Sequence, residues 1–251
     1  MPALPSWTPR IAAPEHATAH AVEREQALVD LGQWLIAQRY DFVAITPTSH
    51  AYNAARTPQA VAANLRDVFG WSRPFRRGLL PGAIEELMHR TGVLATAADS
   101  TLMISRVRFA SLAEGLFVHS AWPTVSRDAV FFGPDTYRFA AFVRSRLPAA
   151  PVHNFSIVDV GCGSGAVGLL AARWMRQKTS PLQLLDINPL ALEYARVNAR
   201  IAGQPQVDIR ASDLLNEVQG RPDLIICNPP YLPDAAGRVY RDGGGLLGTG
   251  L

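Results

Sequence analysis

Four short segments in the second half of the chain combine residue types that can do chemistry at a surface cleft. The first, IVDVGCGSGAVG (157–168), sets Asp159, Gly161, Gly163 and Gly165 at the turn from an apolar strand into a helix. Glycine suits such a turn because a side chain would keep a ligand off the backbone, and because tight turns call for positive φ. The helix that follows offers unpaired N–H groups. Taken alone the turn leaves a dinucleotide site and a purely structural bend open, and its glycines alternate as G-x-G-x-G rather than G-x-G-x-x-G. In the second segment, LLDINPLALEYA (184–195), Asp186 ends a strand. A carboxylate there can accept two hydrogen bonds from a ribose diol. Capping the next helix falls to Asn188, which immediately precedes Pro189.

The third segment, ASDLL (211–215), offers Asp213, either a ligand group or an ordinary turn residue. The fourth, DLIICNPPYLP (223–233), ends an apolar run in Asn228-Pro229-Pro230-Tyr231. Two prolines remove two backbone donors and fix two φ angles, so the turn is stiff. The Asn228 side-chain oxygen and the Pro229 carbonyl then converge as acceptors for an NH₂ group, with Tyr231 able to stack on the flat group that bears it. A rigid turn around a buried tyrosine is the alternative.

These segments need elements to position them. Strands are expected at Phe155–Val160, Leu182–Leu185, Val207–Ile209 and Leu224–Cys227, and helices at Ala166–Gln177 and Pro189–Ala202. Short apolar strands alternating with helices are the pattern of a parallel α/β sheet. Each of the four segments would follow the C-terminal end of a strand, where ligands bind in open sheets of this kind. Four strands fit before the chain stops, so the sheet is expected to be incomplete at its C-terminal end.

Upstream, LPAAPVHN (147–154) reads as a linker, and the first 14 residues as a loosely held, Pro-rich lead-in. Helices are expected over Glu15–Arg39, with Val22, Leu28, Leu31 and Leu35 on its apolar side, over Thr57–Val68 with Thr57 as cap, and over Ala83–His89. Strands are expected over Thr101–Phe109 and Gly115–Ser120. Residues 1–120 are therefore expected to form a smaller helical and β unit that presents substrate, and 121–251 the catalytic domain.

The composition, 48% hydrophobic and 18% charged, excludes a disordered or fibrous chain. The net charge of +3 comes from residues 1–150, with 15 basic and 12 acidic side chains against 9 and 9 in the rest. This is a mild bias toward a polyanionic partner, with Arg73, Arg76 and Arg77 in one loop. Cys162 and Cys227 cannot build a disulfide framework, and no Cys/His cluster has zinc spacing, so no metal is expected. No stretch approaches the length of a membrane span and no secretory signal is evident, so a soluble cytoplasmic protein is expected. The six histidines are scattered and suggest no rival mechanism.

Together the four segments resemble the class I S-adenosylmethionine (SAM) methyltransferases, specifically the N-methyltransferases with an Asn-Pro-Pro-Tyr motif. That group includes release-factor glutamine methyltransferases and the adenine and guanine amino-methyltransferases of DNA and RNA. The resemblance covers roughly residues 128–251 and implies a Rossmann-like sheet. It also implies that Asp159 and the glycines hold the methionine end of SAM, Asp186 the ribose and Asp213 the adenine, with Asn228 through Tyr231 at the target nitrogen. FFGPDTYRFAAFV (131–143) is similar to the segment that precedes the first motif in the glutamine enzymes. Its Pro134-Asp135-Thr136 core is read equally as a helix cap and as a SAM contact through Thr136. The implied partner is a release factor, a ribosomal component, RNA or DNA. A SAM-binding module without transfer activity, and an NAD-type Rossmann enzyme using Asp186, are the other readings.

Overall fold

The computed structural model describes residues 19–57, 60–149, 154–175, 181–245, 247–248 and 250. The Pro-rich lead-in and the centre of the 147–154 linker lie outside them. The described part of helix α1 is Ala19–Ala37, with Leu28, Leu31 and Leu35 fully buried. Val22 is not on that face, being 55% exposed.

The expected helix over Thr57–Val68 is not formed. Its place is taken by α2 (Pro47–Arg56) and the short α3 (Leu65–Phe69). Thr46 caps α2 by accepting from the Ser49 N–H, Pro47 occupies the first turn, and Thr57 closes that helix instead of opening the next. Asn64 starts α3 by accepting from the Asp67 N–H at 3.0 Å, after Ala62 has paired with the carbonyl of Pro74. Local side-chain caps thus outweigh a loosely apolar spacing.

Helix α4 (Gly82–Arg90) leads to β1 (Leu94–Thr96), which pairs antiparallel with β2 (Met103–Ser105). The expected strand over Thr101–Phe109 is broken at Arg106. The Ser105 hydroxyl accepts from the Val107 N–H and donates to the Val107 carbonyl, and the chain changes partners there. Strand β3 (Val107–Leu112) then forms a hairpin with β4 (Gly115–Ser120).

After α5 (Pro134–Arg146) come β5 (Ile157–Val160), α6 (Ala166–Trp174), β6 (Leu182–Asp186), α7 (Pro189–Ile201), β7 (Asp208–Ala211) and β8 (Leu224–Cys227). The last four strands form one parallel sheet in the order β7-β6-β5-β8. From β5 the chain proceeds outward to β6 and β7, then returns to the other side of β5. This makes β5 and β8 the strands that flank a topological switch point, where a crevice opens beyond their carboxyl ends.

One hydrophobic core spans both halves of the chain, from Leu28 and Phe109 to Val197 and Leu184. Helix α1 lies so close to α7 that a Cβ on Gly32 would stand 2.4 Å from Ile201 Cδ1. Arg24–Glu193 at 2.7 Å and Arg196–Glu25 at 2.6 Å flank that contact. Among the described residues no helix is long and apolar enough to cross a membrane.

Candidate active site

The glycine turn is built on left-handed backbone, with φ of +66° at Gly161, +55° at Gly163 and +74° at Gly165. Other residues rarely take this conformation, so the glycines are required by geometry. At Gly165 a Cβ would also meet Leu184 at 2.9 Å, whereas at Gly161 it would enter open space. The first glycine therefore bares backbone to the crevice while the third seats the helix on the sheet.

Two buried carboxylates anchor this turn. Asp159 Oδ2 accepts from the Gly168 N–H at 2.9 Å, and Asp186 Oδ2 accepts from the Gly163 N–H at 2.8 Å. The other Asp186 oxygen accepts from the Asn188 N–H at 2.9 Å, while Asn188 caps α7 through the Leu190 N–H as expected. Asp186 is thus more engaged than its position at a strand end suggested, although each carboxylate oxygen keeps a second acceptor site.

Burial pushes the Asp159 carboxyl up to about 7, against the pull of the Gly168 N–H, with the charge of Asp186 adding to the rise. Burial raises Asp186 too, opposed by three backbone N–H groups. For an acid whose folded pKa lies above its unfolded value, the stability present at low pH is lost as pH rises through the folded pKa. Stability is therefore expected to fall between the ordinary carboxylate range and about pH 7. Thermal melts of Asp159→Asn should show a flatter profile over that window. Parallel profiles for the two proteins would place the proton elsewhere.

Across the crevice, the β5–β8 register ends with Val160 opposite Cys227. Gly161 and Asn228 are the next residue on each strand, so the glycine turn and the Asn-Pro-Pro-Tyr turn leave the sheet side by side. Asn228 and Tyr231 are exposed, the latter by 56%. The Tyr231 hydroxyl is 3.5 Å from Asp135 Oδ2, at the limit of a hydrogen bond. Thr136 serves the helix start, its hydroxyl accepting from the Gly133 N–H at 3.3 Å, yet it also borders the crevice. Asp213 lies exposed in the turn after β7 and borders it as well.

The structure brings Asp159, Gly161, Gly163, Asp186, Asp213, Thr136, Asn228, Pro229, Pro230 and Tyr231 around one cleft of about 730 Å³, and sets Gly165 behind it. That volume is in the range of small-molecule and cofactor sites. Sequence reasoning singled out the 131–143 segment but did not predict the contact that forms the far wall. Phe131 and Tyr240 stack with centroids 5.3 Å apart, and the Tyr240 hydroxyl donates to the Thr124 carbonyl. The Val239 N–H reaches the Arg127 carbonyl at 3.0 Å. No local motif announces that contact, which joins segments more than a hundred residues apart.

Desolvation pushes the thiol of the partly buried Cys162 well up, and that of the exposed Cys227 is also raised. Both shifts favour the uncharged thiol over a nucleophilic thiolate. No group of three or more His, Cys, Asp or Glu suited to a metal ion occurs among the described residues.

The strand order, the alternating glycine turn and the neighbouring Asn-Pro-Pro-Tyr turn are similar to those of class I SAM-dependent methyltransferase domains. Consistent with this, residues 125–239 match the family described as methyltransferase small domain. The chain is 37% identical over 110 residues to the release factor glutamine methyltransferase of Mycobacterium tuberculosis, covering 41% of this chain and 34% of that protein. It is 36% identical over 85 residues to the ribosomal RNA small subunit methyltransferase C of Aeromonas hydrophila, covering 34% and 24% respectively. A release factor glutamine methyltransferase of Moorella thermoacetica is 36% identical over 88 residues, covering 34% and 30%. The matched stretch is thus about a third or less of each relative's length.

The site fits SAM on its own features. Gly161 leaves the space that a Cβ would fill, and acidic groups stand at the ends of β5 and β6, where a cationic nucleoside ligand would lie.

Proposed function

We propose that this protein is a SAM-dependent N-methyltransferase acting in the cytoplasm on a planar amide or exocyclic amino nitrogen. The acceptor is a protein glutamine or a nucleic-acid base. The observation that carries this reading is the placement of Asn228 beside Gly161 at the switch point, which sets an NH₂-accepting turn next to a cofactor-type turn. When bound, SAM supplies an electrophilic methyl group. The protein's task is then to position, desolvate and orient.

In this reading Asp159 and the glycine turn hold the methionine end, with Thr136 at its border. Asp186 holds the ribose and Asp213 the adenine. Asn228 Oδ1 and the Pro229 carbonyl accept the two N–H bonds of the target, Pro230 keeps the turn rigid and Tyr231 stacks on the target plane. With both N–H groups held, the nitrogen lone pair is directed at the methyl carbon. SAM bound there would supply the methyl group, Asn228 Oδ1 and the Pro229 carbonyl would hold the nitrogen that receives it, and that nitrogen would release one proton to solvent. Residues 1–120 present the substrate, a division of labour and not of folding, given the core they share with the sheet.

The test is methyl transfer from labelled SAM to RNA, DNA and protein fractions by the full-length gene product carrying this chain. Label in an amide or amino nitrogen is expected, and label confined to carbon, oxygen or sulfur would overturn the reading. Cofactor binding can be checked separately by calorimetry. SAM should bind and NAD should not, and Asp186→Ala should cost about 1.5–3 kcal/mol through lost charge-assisted hydrogen bonds. Unchanged affinity in that variant would put the ribose elsewhere.

A further inference from the structure

Beside the cleft, α2 walls a second cavity of about 170 Å³. This is well below the several hundred Å³ of a cofactor site and suits one planar ring system. Trp71 and Trp122, both partly exposed, border it with Arg73, His50 and Asn53. The His50 ring stacks on Trp122 with centroids 4.4 Å apart and planes at 23°, and it lies 5.3 Å from the Trp71 ring. The Arg73 guanidinium is 5.9 Å from the centre of the Trp71 ring and is pinned by Asp67 at 2.8 Å and by Asn53 Oδ1 at 3.3 Å. Arg73 is therefore part of the wall and not an available cation.

The polar atoms of the wall are informative. His50 Nε2 is 3.0 Å from the Trp71 carbonyl, which can only accept, so Nε2 carries the proton and Nδ1 is an acceptor. Nδ1 is buried without a described partner, as are both ring nitrogens of His119 and the Trp174 indole nitrogen, so it carries no argument for a ligand. Burial, with the nearby Arg108 charge, holds this imidazole down to about 4, so it stays neutral. Asn53 gives its oxygen to Arg73 and turns an NH₂ donor to its surroundings. An NH₂ donor among flat rings matches an acceptor on the edge of a heterocyclic base.

The surroundings are basic. Arg56 at the end of α2, and Arg76 and Arg77 in the loop between α3 and α4, are exposed, and none has a carboxylate within ion-pair distance among the described residues. Asp99 is the acidic neighbour of Arg76. An aromatic side chain of a protein would use the rings and leave these arginines idle, whereas a phosphodiester strand uses both. Helix α2 also links the two sites. Pro47 borders the cleft, and Asn53 lies about 9 Å further along the helix axis, a few nucleotides away.

We propose that this cavity takes one unpaired base of a single-stranded RNA whose nearby nucleotide is presented at the cleft. RNA is favoured because its loops and bulges offer unstacked bases that bind on aromatic and arginine planes, whereas duplex DNA must first be opened. The assignment of a purpose rests on the N-methyltransferase reading, but the binding does not.

The test is fluorescence anisotropy with a labelled single-stranded RNA of about eight nucleotides, in the absence of SAM, with tryptophan emission followed in parallel. Binding should quench the emission. Trp122→Ala should weaken it about tenfold or more, with Trp122→Phe recovering most of the loss because the flat ring is kept. The exposed pair Arg76→Ala/Arg77→Ala, whose side chains make no hydrogen bond or ion pair among the described residues, should weaken binding and make the salt dependence shallower by about 1.4 in log–log slope. No binding, tighter binding of DNA of the same sequence, or unaltered affinity and slope in the variants would overturn the proposal. Methyl transfer to a protein glutamine without RNA binding would overturn it and leave the N-methyltransferase reading standing. RNA binding without any methyl transfer would do the reverse.

Discussion

Asn228→Ala is expected to lower methyl-transfer turnover by roughly 100- to 1000-fold while cofactor affinity stays near that of the parent. Asn228 sits one residue beyond the Val160–Cys227 pair, on the β8 side of the crevice, and the carboxylates that anchor the cofactor turn lie on β5 and β6. Removing its side chain leaves those anchors untouched. It takes away an acceptor that matters most as the nitrogen loses its π-delocalisation and becomes tetrahedral. An interaction stronger in the transition state than in the ground state appears in kcat and not in cofactor binding. Tyr231→Phe should be milder, because the ring is kept and the hydroxyl lost is only 3.5 Å from Asp135 at its nearest described partner. Single-turnover kinetics with calorimetry of SAM binding separate these effects. If Asn228→Ala kept near-normal turnover, the turn would be a structural bend and the case for N-methylation would lose its main support.

The C-terminal half was legible because each of its elements is marked at both ends. The strand–helix alternation appears in the structure within a residue or two of its expected limits except at the end of α6, where Trp174 is the last helical residue and Met175 the cap, short of the expected Gln177, which itself lies outside the described residues. The fully buried strands β5 and β6 read as short apolar runs, and Asn188-Pro189 and the glycines punctuate them. The N-terminal half carries weaker marks. Thr57 followed by Pro58 resembles a helix start, but the caps that form are Thr46 and Asn64, each accepting from an N–H three residues on, and the apolar spacing does not single them out over Thr57. The break at Arg106 follows from a change of strand partner, which no periodicity records. In the site, motif residues could be found because their chemistry is local to a turn. Phe131, Tyr240 and Arg127 could not, because their role comes from the meeting of two distant segments.

Asn198 is the clearest case of a residue hidden in a pattern, and its replacement should be the most damaging to stability. Within α7 it reads as one more polar position, yet it is fully buried. Its Oδ1 accepts from the Val118 N–H at 2.8 Å, and its NH₂ donates to the Val118 carbonyl at 3.1 Å and the Ser164 carbonyl at 2.8 Å. The amide thus acts as a missing strand for the open edge of β4 and ties that edge to the glycine turn. Asn198→Ala leaves one N–H and two carbonyls without partners, each at a cost of about 1–3 kcal/mol. A loss of about 3–5 kcal/mol is expected, a large share of the stability of an ordinary domain. Urea unfolding should show a lower midpoint at an unchanged slope. Asn198→Asp should be no better, since a carboxylate oxygen would then face two carbonyl oxygens where the NH₂ group stood. Because Ser164 lies in the cofactor turn, SAM affinity should fall in Asn198→Ala even at temperatures where the protein remains folded. A stability loss below about 1 kcal/mol would mean that water enters and takes over the three bonds. In that case the link between the N-terminal hairpin and the cofactor turn would not depend on this side chain.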